Sequence, residues 1–139
     1  MEPVTAAPGT ITLLTRLAKL VYRRTPEETL GMRFRQFVVL SYLSEHNGVQ
    51  QQELGETLCM DSNNLVLLLN DLETAGHAQR RRDPDDRRRH IVELTDGGRE
   101  ALRRAEQGRE SVEDDVLRAL DSDERDMLRR LLAKALAGA

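Results

Sequence analysis

The sequence is poor in aromatic residues, in cysteine and in long apolar runs. Only 3% of its 139 residues are aromatic, none is Trp and one is Cys. The core is therefore expected to be aliphatic, and Cys59 cannot form a disulfide within one chain. No run of 18 consecutive apolar residues is present, so no transmembrane helix and no membrane partner is predicted. The N-terminus lacks the basic and apolar regions of a signal peptide, and these absences together favour a cytoplasmic protein.

The net charge is also small, and by itself gives no indication of a nucleic-acid partner. It amounts to −3, from 21 basic and 24 acidic residues. Residues 77–90 nevertheless carry six arginines against three aspartates. The arginines form two triplets, 80–82 and 87–89, separated by Asp83-Pro84-Asp85-Asp86. A basic hairpin suits phosphate binding, whereas the alternative is a solvated loop whose aspartates neutralise the arginines.

Hydrophobic periodicity predicts a series of helices. Residues 1–9 contain two Pro and one Gly and are interpreted as a disordered leader. A helix beginning at Thr10 has two apolar stripes, which need cover on more than one side, and a partner subunit is the expected cover. Further helices are predicted over about 33–46 and 51–59.

The next helix follows an N-cap at Asp61 or Ser62. Its leucines recur at the spacing of a single buried face, at Leu65, Leu68, Leu69 and Leu72. Two strand-like stretches, 77–82 and 89–94, flank a turn and form a hairpin. Two more helices are predicted. One opens at residues 95–98 and carries apolar residues as far as Leu120, and the other starts with the capping sequence 121–124.

This order of helix, turn, helix and basic hairpin is that of a winged helix-turn-helix. The predicted fold class is mainly α with a small β-hairpin wing, with N- and C-terminal dimerisation helices. A helix fits the major groove of DNA, where Asn can bond to adenine. An arginine hairpin beside it can reach phosphates or the minor groove.

At this level of detail the sequence resembles the MarR (multiple antibiotic resistance regulator) family of transcription factors. The resemblance rests on Leu72-Glu73-Thr74-Ala75-Gly76, Arg80, Asp86-Arg87-Arg88 and Leu94-Thr95-Asp96-Gly97-Gly98, and covers roughly residues 11–136. It implies one domain over 10–139, in which 33–95 form the winged lobe and 10–30 and 96–139 the dimerisation helices.

The resemblance also implies a function. Members of the family are homodimers that bind a palindromic operator in double-stranded DNA, usually as repressors. Many release DNA when a small aromatic or anionic compound binds, or when a cysteine is oxidised. No cofactor is implied.

The DNA contacts implied by the resemblance fall in two segments. In the wing, Arg88 enters the minor groove, Asp86 holds the tip, and Arg87 and Arg89 lie near phosphates. The base-reading positions are Ser62, Asn63, Asn64, Val66 and Leu67.

The sequence departs from the family at some of these positions. Family members often carry Thr at 66, Arg or Pro at 67, and basic residues at 70 and 71. Val66 and Leu67 could pack on thymine methyls but supply no strong hydrogen bonds. Asp71 would weaken a nearby phosphate contact.

Two alternatives follow from these departures and from Cys59. One is a winged-helix protein–protein interaction module, or an antirepressor, with weakened DNA reading. The other is a cysteine redox sensor, although Cys59, between Leu58 and Met60, is expected to be a small buried hydrophobe. No catalytic motif appears, so an enzyme is not predicted. No metal site is predicted either, because the histidines lie far apart in sequence, at His46, His77 and His90.

Overall fold

The computed structural model describes residues 7–139, so most of the predicted leader, residues 1–6, lies outside the described part of the chain. The helices are α1 Thr10–Arg23, α2 Glu27–Leu30, α3 Phe34–Glu45, α4 Gln51–Thr57, α5 Ser62–Thr74, α6 Asp96–Val116 and α7 Ser122–Ala137. The strands are β1 Val49–Gln50, β2 Ala78–Arg82 and β3 His90–Leu94.

The chain forms two compact units. One is Thr25–Arg109, and the other combines the segment up to Arg24 with Glu110–Ala139. The first unit extends beyond the winged lobe predicted over 33–95, since it takes in α2 and the first part of α6. The dimerisation role expected for the terminal helices remains a prediction.

The sheet has three antiparallel strands rather than the two of the predicted hairpin. β3 lies in the centre, between β1 and β2. Val92 is opposite both Val49 of β1 and Arg80 of β2. Because β1 has only two residues and α2 only four, neither is long enough to show a hydrophobic period in the sequence.

Most predicted boundaries lie within a few residues of the observed ones. Asp61 is the N-cap of α5, and its Oδ1 accepts a hydrogen bond of 2.9 Å from the backbone N–H of Asn64. The predicted end of α6 near Leu120 was wrong, because the helix stops at Val116. Asp121 then caps α7 in a reciprocal capping box with Glu124.

One aliphatic core fills the Thr25–Arg109 unit. The leucine face of α5 is buried there as predicted, together with the inward residues of α3, α4, α6 and the sheet. Its largest fully buried side chains are Leu40, Leu43, Leu54, Leu65, Leu69, Leu72, Val39 and Val92.

The junction of α5, β2 and α6 depends on close backbone packing. Thr95 Oγ1 donates a hydrogen bond of 2.6 Å to the Gly76 carbonyl and accepts one of 3.0 Å from the Gly98 N–H. A Cβ on Gly97 would lie 2.8 Å from the Gly76 carbonyl oxygen, and a Cβ on Gly98 would overlap the carbonyl oxygen of His77. Glycine therefore lets the start of α6 lie directly against the end of α5.

Gly98→Ala should lower the free energy of unfolding by about 1–3 kcal/mol, because the new methyl overlaps backbone that cannot move without disturbing β2. The measurement is equilibrium urea unfolding followed by circular dichroism. Gly138→Ala is the matched control, since a Cβ there would meet nothing closer than 3.9 Å. An unchanged unfolding midpoint for Gly98→Ala would show that this close approach is not needed.

The second unit is notable for the apolar side chains that its helices α1 and α7 expose. Neither α1 nor α7 contains a buried residue. Ile11 is 81% exposed and Leu136 is 76% exposed. Within the described residues, no helix is both long enough and apolar enough to cross a membrane.

Candidate nucleic-acid interface

The face of α5 opposite its buried leucines forms an outer stripe of four residues, Asn63, Val66, Leu67 and Asn70. They are spaced i, i+3, i+4 and i+7, so they share one side of the helix. All four are exposed, Leu67 by 62% and Val66 by 36%. Ser62 and Asn64, at the start of the helix, are exposed as well. Every predicted base-reading residue thus lies on the surface of the Thr25–Arg109 unit.

Several polar side chains of α5 are already engaged within the protein. Asn64 Nδ2 donates a hydrogen bond of 2.6 Å to the capping carboxylate of Asp61. Asn70 Oδ1 accepts one of 2.5 Å from Arg80 Nη2. Asp71 pairs with Arg33 at 2.7 Å, which offsets the negative charge that the sequence suggested would oppose phosphate.

The first arginine triplet contributes to the fold of the hairpin. Arg80 pairs with Glu73 as well as with Asn70, and Arg81 Nε donates to Glu93 Oε1 at 2.5 Å. The pKa of the Glu93 carboxyl lies below its usual value, mainly because Arg81 donates this hydrogen bond to it. Arg82 donates to the Arg87 carbonyl at 2.7 Å. Neither prediction describes the triplet 80–82. These arginines lie in β2 and not in a solvated loop, and the ion pairs of Arg80 and Arg81 are with Glu73 and Glu93 and not with the aspartates of the turn.

The second triplet forms the exposed tip of the wing, in the loop 83–89 between β2 and β3. Asp86 Oδ1 accepts hydrogen bonds of 3.1 Å from both the backbone N–H and Nε of Arg88. Arg89 Nε lies 3.5 Å from Asp86 Oδ2. The Arg88 side chain is nevertheless 91% exposed. The side chain of Arg87 makes no hydrogen bond or ion pair to the part of the chain that the structure describes.

The tip is anchored by a buried carboxylate that the sequence did not single out. Asp83 is buried and accepts a hydrogen bond of 2.9 Å from the Asp85 N–H, and its own backbone N–H donates to the Arg89 carbonyl at 3.0 Å. Gln50 Nε2 of β1 approaches the same carboxylate at 3.4 Å. The wing therefore has a fixed base beneath exposed arginines.

Arg88→Ala should raise the pKa of Asp86, because the side-chain hydrogen bond from Arg88 is the main cause that holds it below its usual value of 3.8. Because the folded-state pKa of Asp86 is depressed, the Asp86–Arg88 contact stabilises the tip fully at pH values above the ordinary carboxyl pKa. This stabilisation is lost as the pH falls through the folded-state pKa. The measurement is a carboxyl-carbon NMR titration of both proteins.

Glu93 serves as the internal control for this titration. Its depressed pKa depends on Arg81 and Gln79 rather than on Arg88, so it should not change. Equal Asp86 pKa values in the two proteins would mean that Arg88 does not make this contact in solution.

A cleft of about 500 Å³ lies between α4, the start of α5 and the wing, within the Thr25–Arg109 unit. It brings together Ser62, Arg88 and Arg89 among the predicted site residues; the other predicted residues do not line it. Its remaining lining includes Gln50, Gln51 and His90, which sequence reasoning missed because no motif marks them. The start of α5 and the wing therefore bound one concave surface with two arginines in its wall.

Cys59 is exposed, and the expectation of a buried thiol was wrong. Its backbone has a φ of 54°, in the left-handed region. Leu58 and Met60 on either side pack against the core, so the side chain between them projects into solvent. Among the described residues, no group of three His, Cys, Asp or Glu side chains is placed to hold a metal ion.

The fold and this surface define a winged helix-turn-helix protein. Residues 34–90 match the sequence profile of the MarR family. A transcriptional regulatory protein proposed for the hcr operon of Thauera aromatica is 30% identical over 113 residues, which are 81% of this chain and 68% of the relative. The chain belongs to the MarR family.

A second curated relative matches only in part. The HTH-type transcriptional regulator TtmR of Methylorubrum extorquens is 41% identical over 68 residues, which are 49% of this chain. The match spans only 35% of that relative's length.

Solved structures match over most of the chain. The transcriptional repressor CouR bound to a 23-mer DNA duplex is 34% identical, with a TM-score of 0.76 over 91% of this chain and 92% of that one. A mutant MarR from E. coli complexed with operator DNA is 26% identical, with a TM-score of 0.74 over 90% and 91%. PcaV from Streptomyces coelicolor with its natural ligand is 26% identical, with a TM-score of 0.73 over 97% and 96%.

Proposed function

We propose that this protein is a homodimeric, sequence-specific DNA-binding transcriptional repressor that leaves a palindromic operator when a small aromatic or anionic ligand binds. One observation carries the DNA-binding part. The outer face of α5 and the exposed arginines 87–89 lie on one compact unit, and Ser62, Arg88 and Arg89 line one cleft of that unit. A helix suited to the major groove thus stands beside cations suited to phosphate.

The similar structures support the individual parts of the proposal. CouR is a repressor bound to DNA, and PcaV holds its natural ligand. The proposed contacts are Ser62, Asn63, Asn64, Val66 and Leu67 on α5 and Asp86, Arg87, Arg88 and Arg89 on the wing. A cytoplasmic location and a redox role for Cys59 remain predictions.

Homodimerisation has its own support in the exposed helices of the second unit. Apolar side chains on α1 and α7 are largely exposed to solvent, and burying them would stabilise an interface by about 25 cal/mol per Å² of apolar surface. Contiguous exposed apolar surface commonly marks an interaction site. A second copy of the chain would supply the same helices and close a two-fold interface.

Arg88→Ala should weaken operator binding by about 1–3 kcal/mol if Arg88 makes a specific contact. The measurement is a fluorescence titration of duplexes selected from a random pool, repeated over a salt series. Affinity of the wild-type protein should fall steeply with salt, because arginines displace counterions from phosphates. Adding candidate aromatic acids to the same titration tests ligand release.

Arg103→Ala is the matched control. Arg103 is an exposed arginine of α6 that pairs with Glu100 at 2.6 Å, as Arg88 pairs with Asp86, but it lies outside the helix-turn-helix and wing. Equal affinities for wild type and Arg88→Ala at each salt concentration would remove Arg88 from the interface. Absence of salt-dependent binding to any duplex would instead favour the protein–protein interaction module.

The double substitution Ile11→Glu and Leu136→Glu should raise the dimer dissociation constant by about 100-fold or more, since unpaired charges would enter an apolar interface. Sedimentation velocity over a concentration series measures this change. Leu67→Glu is the matched control, because Leu67 is similarly exposed but lies on α5. A double variant that sediments as the wild-type protein does would show that these two side chains are not at the interface.

A further inference from the structure

The centre of the outer stripe of α5 is aliphatic. Val66 and Leu67 lie between Asn63 and Asn70, on the side of the helix that faces away from the core. The leucines on the other face of α5 pack into the core. With 62% of Leu67 in solvent, its side chain adds little to folding and remains available to a partner.

The two amides at the ends of the stripe are not equivalent. Asn70 Oδ1 accepts the hydrogen bond from Arg80, and Arg80 is further held by Glu73. Bidentate recognition of adenine uses both the oxygen and the N–H of an amide, and the oxygen of Asn70 is already engaged by Arg80. Asn63 has no side-chain hydrogen bond to the described part of the chain. The stripe therefore offers one available amide and two aliphatic side chains.

We infer that Val66 and Leu67 recognise the C5-methyl groups of thymine in the major groove; this rests on the DNA binding proposed above. The thymine methyl is the apolar group that a base pair presents in that groove. Any other base edge facing Leu67 would lose hydrogen bonds to water and gain none, which costs free energy. The same two side chains therefore favour thymine and disfavour guanine or unmethylated cytosine.

Double-stranded DNA is a better occupant for this stripe than a protein because of the charges beside it. The start of α5 shares a cleft with Arg88 and Arg89, and the exposed tip also carries Arg87. An apolar protein surface would have to desolvate these arginines, whereas DNA supplies a phosphate for them.

The test replaces single thymines by deoxyuridine, which removes the methyl and leaves every hydrogen-bonding group of the base in place. Duplexes selected from a random pool with the full chain are scanned one thymine at a time. At the contacted thymines of each half-site, the affinity of the wild-type protein should fall about fourfold per methyl. Uridine elsewhere should have little effect. Replacing a contacted thymine by cytosine should weaken binding, and 5-methylcytosine should restore part of the loss.

Two protein variants connect the methyl effect to the stripe. At the thymine that Leu67 contacts, Leu67→Ala should bind the thymine and uridine duplexes equally. Val66→Thr keeps the shape of the side chain but replaces a methyl by a hydroxyl, and it should reduce the preference for thymine over uridine at the position that Val66 contacts. Asn63→Ala is the control: it should lower affinity while the preference for thymine over uridine persists. Equal thermal melting temperatures verify that each variant is folded.

The inference is wrong if the wild-type protein binds every uridine duplex as tightly as its thymine counterpart, or if Leu67→Ala keeps the wild-type discrimination. Selected half-sites without a common thymine would also overturn it. Salt-dependent binding without methyl dependence rejects this inference alone. No binding to any duplex rejects the proposed function and the inference together.

Discussion

Four leucines of α5, Leu65, Leu68, Leu69 and Leu72, are buried in the core of the Thr25–Arg109 unit, and the rest of the candidate interface depends on that burial. Because these leucines fix the rotation of the helix about its axis, they decide which residues face outward. Turning α5 by one residue would rotate it by about 100°, expose leucine and bury asparagine without partners. The outer stripe is therefore set by the core.

The arginines of the hairpin separate into two groups for electrostatic reasons. Arg80 and Arg81 lie within the strand and meet the carboxylates of Glu73 and Glu93. Arg88 and Arg89 lie in the loop, where the nearest carboxylate is that of Asp86 at the tip itself. A single run of sequence thus supplies both the ion pairs that join β2 to its neighbours and the exposed cations of the wing. The excess of positive charge on the hairpin overstates the charge that a ligand would meet.

Much of this fold could be predicted because its helices carry strong periods. The leucine spacing of α5 and the capping sequence before α7 are local signals, and both were confirmed. β1 and α2 were missed because each is shorter than the period that would reveal it. The assignment of Arg80 and Arg81 needed the strand register and the position of Glu73, which are properties of the folded chain. Cys59 was misjudged because no glycine or asparagine marks its left-handed turn.

The Asp86–Arg88 pair also gives the wing an anion of its own. If the wing meets DNA as proposed, the acceptor groups of the DNA compete with the Asp86 carboxylate for the guanidinium of Arg88. DNA that lies loosely against the wing gains little from this exchange, while DNA held in register by α5 can replace the carboxylate fully. The Asp86–Arg88 pair would then weaken the binding of poorly aligned DNA more than that of a correctly aligned site. Part of the selectivity would thus come from Asp86, an acidic residue that touches no base.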